Sequence, residues 1–261
     1  MNTKGRILLI GRSDCLGEKG VQAGIWTAGV HGLAASTIVM NMTARDEGLN
    51  FEEIELSGTF IVRQAETILQ KQNIDVVKVG RLSSEEQIEA TARILEDSRL
   101  NCPVVISPAV FRSNDSQALG VRALAHWKRR LPHLATMIVA TEREADALGG
   151  FHAEGREELP HVAETLATLG SESVLLSALL PGQARGVDIF LDASGQLHER
   201  EFPLIREGEY GLDTPNLSTA LACQLALGCN LMQAAGLARD FVAEGQGWTS
   251  ELPAFAEVQG G

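Results

Sequence analysis

Short apolar runs alternate along this chain with longer segments in which apolar residues recur at helical spacing. The runs predict strands over Arg6–Ile10, Ala34–Met42, Asp75–Val79, Pro103–Ser107, Leu134–Ala140 and Ser173–Ser177. Between them the spacing predicts helices over Gly17–Gly29, Gly58–Gln72, Ser84–Asp97, Ser116–Arg130, Glu142–Leu148 and Pro160–Leu169. In Gly58–Gln72, for example, Phe60, Ile61, Ala65, Ile68 and Leu69 follow helical spacing. Val187–Asp192 and Leu197–Leu204, joined around Ala193-Ser-Gly-Gln, read as an antiparallel hairpin, and Pro215–Gly228 and Leu231–Glu244 as two closing helices.

Strands that alternate with helices need crossover connections, which make the paired strands parallel and put helices on both sheet faces. The expected fold is therefore α/β: a three-layer α/β/α sandwich with a mostly parallel sheet and an antiparallel edge hairpin. No linker or repeat divides it, so one domain is expected over 1–248, with a loosely held tail over 249–261. In such sheets ligands sit at the carboxyl ends of strands. The loops after Ile10, Val79, Ser107, Ala140 and Ser177 are then the expected walls of a site.

Composition narrows the partners. A formal charge of −12 argues against nucleic acid and against an anionic membrane surface, which both call for a basic face. The short run Lys128-Arg129-Arg130 reads as the solvated end of a helix. Four cysteines without CxxC spacing point to reduced thiols, and the longest largely apolar stretch, Leu33–Met42, falls short of the roughly 20 residues that span a bilayer. A cytoplasmic protein is expected. The six histidines show no ligand pairing, so neither a metal site nor a catalytic triad is indicated.

Chemistry concentrates in Arg206–Ala222, where a turn-rich loop runs into a helix that Asp213 or Thr214 can cap and Pro215 can open. A helix start after a glycine loop favours anions through its open N–H groups and its dipole. Here Gly211 is the one glycine near the helix, Pro215 lacks an N–H, and Glu207, Glu209 and Asp213 add repulsive charge. Gly11–Gly20 follows the first strand without matching either glycine-rich phosphate fingerprint. It suits a loop covering a substrate and an ordinary turn equally well. Lys78-Val79-Gly80 ends a strand with a cation and a glycine, and Glu142 and Glu144 open a short helix, where acidic residues favour the dipole whatever the function.

With these positions placed, the chain resembles the hydroxymethylpyrimidine/phosphomethylpyrimidine kinases of thiamine biosynthesis, in the ribokinase-like superfamily. Gly20-Val21-Gln22-Ala23 resembles that family's GIQAD run, Val77–Gly80 its KIGM-type strand end, Val104–Pro108 its VVLDP-type strand, and Glu144-Ala145 its NxxEA motif. The departures fall on chemistry. Gly24 stands where the family has an acid, and the family glutamine falls around Met42. Ser107 replaces a strand-end aspartate, Thr141 an asparagine and Ser177 a lysine, while Leu212-Asp213-Thr214-Pro215 replaces GTGC.

The resemblance implies a substrate side built from Gly11, Ser13, Gly20, Gln22, Met42, Lys78, Gly80 and Ser107. It implies a nucleotide side built from Thr141, Glu144, Ser177, Gly211, Thr214 and Asn216. ATP and Mg2+ would serve an active enzyme, with Glu144 reaching the metal through water and Asp213 as a displaced base. The expected reading is a kinase-like protein with weakened or lost phosphoryl transfer that binds a small heteroaromatic ligand or a partner. Two others stand beside it: an active kinase of altered substrate, using Asp213 with Lys78 or Arg12, and a non-enzymatic regulatory protein. The resemblance also implies a homodimer.

Overall fold

The computed structural model describes residues 3–45, 51–109, 119–179, 185–203 and 214–243. The first half of the chain gives β1 (Arg6–Asp14), α1 (Gly20–Val30), β2 (Ala34–Arg45), β3 (Phe51–Glu55), α2 (Gly58–Leu69), β4 (Val76–Val79), α3 (Glu85–Leu95) and β5 (Val104–Ile106). The second half gives α4 (Val121–Arg130), β6 (Met137–Thr141), α5 (Glu142–Gly149), α6 (Leu159–Ala167), β7 (Ser173–Ala178), β8 (Arg185–Leu191), β9 (Leu197–Pro203), α7 (Thr214–Ala226) and α8 (Leu231–Ala243). The strands form one sheet in the order β3-β2-β1-β4-β5-β6-β7-β8-β9. β2, β1, β4, β5, β6 and β7 pair in parallel, while β3 at one edge and the β8–β9 hairpin at the other are antiparallel.

Successive side chains of a strand point to opposite faces, so the buried strands feed two apolar layers. Leu8, Ile10, Val77, Val79, Ile106, Ile138 and Leu176 pack with Ile61, Ile88, Trp127, Leu148 and Leu166 from α2 to α6. Ile7, Leu9, Val76, Val105, Met137 and Leu175 pack with Val21 and Ala28 of α1, Leu217 and Leu221 of α7, and Ala234 and Ala238 of α8. The structure is thus the expected three-layer α/β/α sandwich, with a mostly parallel sheet and antiparallel edges.

Three local differences from the sequence reading have physical causes. β3, Phe51-Glu-Glu-Ile-Glu, has no apolar run to announce it; it forms because β2 offers it an antiparallel edge, Asn41 opposite Glu55 and Met42 opposite Ile54. β1 runs on to Asp14 because β2 accompanies it past a bulge, the register moving from Gly11–Val39 to Ser13–Met42. Leu134 falls outside its predicted strand because Pro132–Leu134 closes a 3-10 turn, with the Ala135 N–H donating to Pro132 O at 3.0 Å, and β6 begins only at Met137.

Candidate functional site

The carboxyl ends of β1, β4, β5, β6 and β7 line up along one end of the sheet. At β1 the chain turns back sharply. Gly20 adopts φ +64°, and a Cβ there would fall inside contact distance of the Arg12 carbonyl oxygen, so only glycine fits. Polar bonds then fasten the loop: Gln22 Nε2 donates to Ser13 Oγ at 2.7 Å, and the Asp14 N–H donates to Gln22 Oε1 at 2.9 Å. The buried Asp14 carboxylate accepts the Lys19 N–H at 3.0 Å. Asp14, which the sequence reading passed over, therefore anchors the loop that Ser13, Gly20 and Gln22 belong to.

Met42 sits apart from this network. It is 48 % exposed, directly opposite Ile54 at 62 %, on the outer face of the β2–β3 hairpin. The polar group at this level is its neighbour Asn41, which is buried and donates through Nδ2 to Ser83 Oγ at 3.0 Å. Asn41 Oδ1 has no hydrogen-bond partner among the described groups. Which of two neighbouring residues is buried depends on the bulge in β2, which no local pattern of residues marks.

At β4, Lys78 is buried, and it shares a sheet face with its register partners Leu9 and Val105, the face on which α7 packs. Its Nζ lies 3.2 Å from where a Cβ on Gly80 would stand, and the Gly80 N–H donates to Ile10 O at 2.8 Å. Glycine at 80 lets the chain pass over the ammonium group, next to Gly11, whose added Cβ would lie 4.0 Å from the Gly80 Cα. On β5's exit Ser107 is buried, with its N–H bound to Val79 O at 2.9 Å and its Oγ without a partner among the described groups.

The second half of the site is organised by Glu144. Thr141 and Glu144 form a reciprocal cap of α5: Thr141 Oγ1 accepts the Glu144 N–H at 3.2 Å, and Glu144 Oε2 accepts the Thr141 N–H at 2.8 Å. The same carboxylate accepts from Thr141 Oγ1 at 3.1 Å and from the Ala109 N–H. Ala109 is in the left-handed region, φ +46°, a conformation costing on the order of 1 kcal/mol for a residue with a Cβ. Glu144 thus holds the ends of β5 and β6 together. Burial pushes its carboxyl up to about 7, against the pull of those three donors, and the charge of Glu142 pushes the same way. Glu142 is itself raised by burial, and its Oε2 has no partner among the described groups.

Ser177, on β7, is held inside the fold. Its hydroxyl is fully buried and bonded to Asp188 and Arg239. Asn216, in the first turn of α7, is buried. Thr214 and Pro215 begin that helix, while the Thr214 side chain, Gly211 and Asp213 lie outside the described residues.

A magnesium site does not fit these donors as a direct protein cage. Among the described residues no three acidic, histidine or cysteine side chains come together. Glu144 already accepts from three protein donors, and Glu142 Oε2 beside it has no partner among the described groups.

Residues 14–251 match the sequence profile of phosphomethylpyrimidine kinase. The chain belongs to the phosphomethylpyrimidine kinase family. The chloroplastic thiamine biosynthetic bifunctional enzyme of Arabidopsis thaliana is 26 % identical over 258 residues, 98 % of this chain and 49 % of that protein. The chain spans about half the length of such bifunctional relatives. The hydroxymethylpyrimidine/phosphomethylpyrimidine kinase of Mycobacterium leprae is 27 % identical, over 92 % of this chain and 87 % of its own length. Among solved structures, an ADP complex of Bacillus subtilis pyridoxal kinase superposes with a TM-score of 0.83 at 23 % identity, over 91 % of this chain and 90 % of that one. That likeness speaks for the fold. The family role is phosphomethylpyrimidine kinase chemistry in thiamine biosynthesis.

Gly24 of α1 packs closely against β1. A Cβ on Gly24 would lie 2.8 Å from a Leu9 methyl. An acidic side chain at this position would enter the β1–α1 packing unless Leu9 moved.

Proposed function

We propose that this protein keeps the ligand cleft of the phosphomethylpyrimidine kinase family, holds a small heteroaromatic compound there, and transfers phosphoryl groups weakly or not at all. The observation that carries this reading is Pro215 in the first turn of α7. Phosphoryl transfer relies on positioning and on N–H groups aimed at the developing charge. Proline has no N–H to give. One such donor removed costs on the order of a hundredfold or more in rate. Ser107 adds to the deficit, since a hydroxyl stands where the resemblance has a carboxylate and cannot serve as a base near neutral pH. The ligand side is better provided: Asn41 Oδ1 and Ser107 Oγ are buried acceptors without partners among the described groups, suited to ring amino or hydroxyl donors.

The test pairs a thermal-shift screen of pyrimidines, pyridoxal and nucleotides with an assay for ATP-dependent phosphorylation of hydroxymethylpyrimidine and its phosphate. A ligand that binds only the folded state raises its melting temperature. The expected result is a shift from a heterocycle with no turnover, or turnover far below that of the Mycobacterium leprae kinase measured alongside. Full turnover that vanishes in Asp213→Ala would overturn the proposal in favour of an active kinase with a displaced base, a reading that family membership over residues 14–251 keeps open.

A further inference from the structure

The chain leaves β1 through α1 to β2 on one side, and from the β2–β3 hairpin it returns through α2 to β4 on the other. α1 and α2 pack on opposite faces of the sheet. The strand order therefore reverses at β1, and in open α/β sheets ligands sit outside the carboxyl ends of the strands at such a reversal. Asn41 stands at this level: the bulge places it between Val39, opposite Gly11, and Met42, opposite Ser13. Its bond to Ser83, beyond the end of β4, joins the two neighbours of β1.

Ser83 is the middle of a short chain of hydrogen bonds. Its Oγ donates to Glu53 Oε1 of β3 at 3.1 Å and accepts from Asn41 Nδ2 at 3.0 Å. Its N–H donates to Gln87 Oε1 at 2.8 Å, and the fully buried Gln87 donates through Nε2 to Met40 O at 3.3 Å. The serine is thus fixed between α3 and β2. A hydroxyl has one proton, and a carboxylate only accepts. With that proton given to Glu53, Ser83 can only accept from Asn41, so the Asn41 amide turns its NH2 to Ser83. The carbonyl oxygen Oδ1 is left over. Asn41 is 1 % exposed, and Oδ1 finds no partner among the described groups. A buried acceptor left unpaired costs free energy that a donor on a ligand recovers.

We propose that Glu53 is a positioning residue that sets the ligand preference of the cleft. Through Ser83 it holds Asn41 with the acceptor toward the ligand, so the site selects rings that carry an N–H or O–H donor and rejects rings that present an acceptor there. The preference rests on the reading under Proposed function for the presence of a heterocycle; the amide orientation does not.

Glu53→Gln tests it. A glutamine both donates and accepts, so Ser83 becomes free to give its proton to Asn41, and either amide orientation is available. The probes are 4-aminopyrimidine, a donor, and 4-methoxypyrimidine, an acceptor without a donor, with dissociation constants from calorimetry. Wild type should bind the amino compound on the order of tenfold more tightly. In E53Q the methoxy compound should bind about fivefold more tightly than it does to wild type, while the amino compound changes by less than about threefold. Mere loss of structure would weaken both. Ser83→Ala, which keeps the N–H bonded to Gln87, should give the same pattern and replaces E53Q if that variant folds poorly. A ratio unchanged from wild type would overturn the proposal and leave the functional reading standing. If neither ring binds wild type, the ligand preference falls together with that reading. The orientation is judged separately by nuclear Overhauser contacts in isotope-labelled protein. The Asn41 amide protons should lie against the Ser83 β protons in wild type and lose much of that contact in E53Q; no such contact in wild type would overturn the orientation itself.

Discussion

Glu144 shows how much one buried side chain sets by itself. Its ordinary carboxyl value of 4.5 rises to about 7 because burial penalises the charged form more than its three donors favour it. The folded state therefore holds this proton more tightly than the unfolded chain does. Its contribution is full below about 4.5 and is lost as pH rises through about 7. The interval corresponds to roughly 3 kcal/mol. Glu144→Gln keeps an acceptor for the Thr141 and Ala109 N–H groups but cannot ionise. Melting temperatures measured from pH 5 to pH 8 should fall more steeply for wild type than for E144Q, with the variant the more stable at pH 8; parallel profiles would contradict the assignment. Gly20 makes a comparable point through the backbone. Gly20→Ala places a methyl against the Arg12 carbonyl in a left-handed conformation, so the loop must move. A loss of about 2 kcal/mol in urea unfolding is expected, with weaker binding of any ligand that the Gln22–Ser13 network helps to hold.

Elements place these groups where no single residue could. The β2–β3 hairpin exists because β2 outruns its neighbours, and its bulge decides that Asn41 is buried while Met42 is exposed. α5 sits where it does because Thr141 and Glu144 cap each other across its first turn. α7 is the element on which the proposed weakening of phosphoryl transfer rests. Its apolar residues Leu217 and Leu221 are fully buried, so the helix is held firmly whatever its N-terminus does. Pro215 can therefore be exchanged at modest cost, under about 1 kcal/mol. Pro215→Ala returns one N–H to the first turn. If the missing donor limits transfer, ATP-dependent phosphorylation of hydroxymethylpyrimidine phosphate should rise on the order of tenfold, short of the full factor because Ser107 is unchanged. Turnover unaltered by P215A, in a protein that still folds, would place the limit elsewhere.

On the scale of the whole molecule, the alternation of buried runs with amphipathic segments was enough to read the sandwich, its layers and the antiparallel hairpin of β8 and β9. Period and length are properties that a single strand or helix carries in its own residues. The rest depended on partners distant in the chain. Nothing local marks Ser177, Asp188 and Arg239 as one cluster, since 62 positions separate the serine from the arginine. β3, with three glutamates among five residues, is a strand only because of what it lies beside. Charge is the other global property. A net −12 surrounds whatever binds here, and that repulsion acts on anions over a Debye length that shrinks from about 30 Å at 0.01 M salt to about 8 Å at 0.15 M. Sites built to grip phosphate with cations lose affinity as salt rises. This protein carries Lys78 buried at one strand end and, in the first turn of α5, an exposed Arg143 set between the two carboxylates of Glu142 and Glu144. Association with ATP measured by stopped flow should therefore quicken as salt rises across that range, while association with a neutral pyrimidine stays within about twofold. Slowing of the nucleotide reaction with added salt would reveal a phosphate-attracting field that outweighs the net charge, and with it a site built to receive triphosphate.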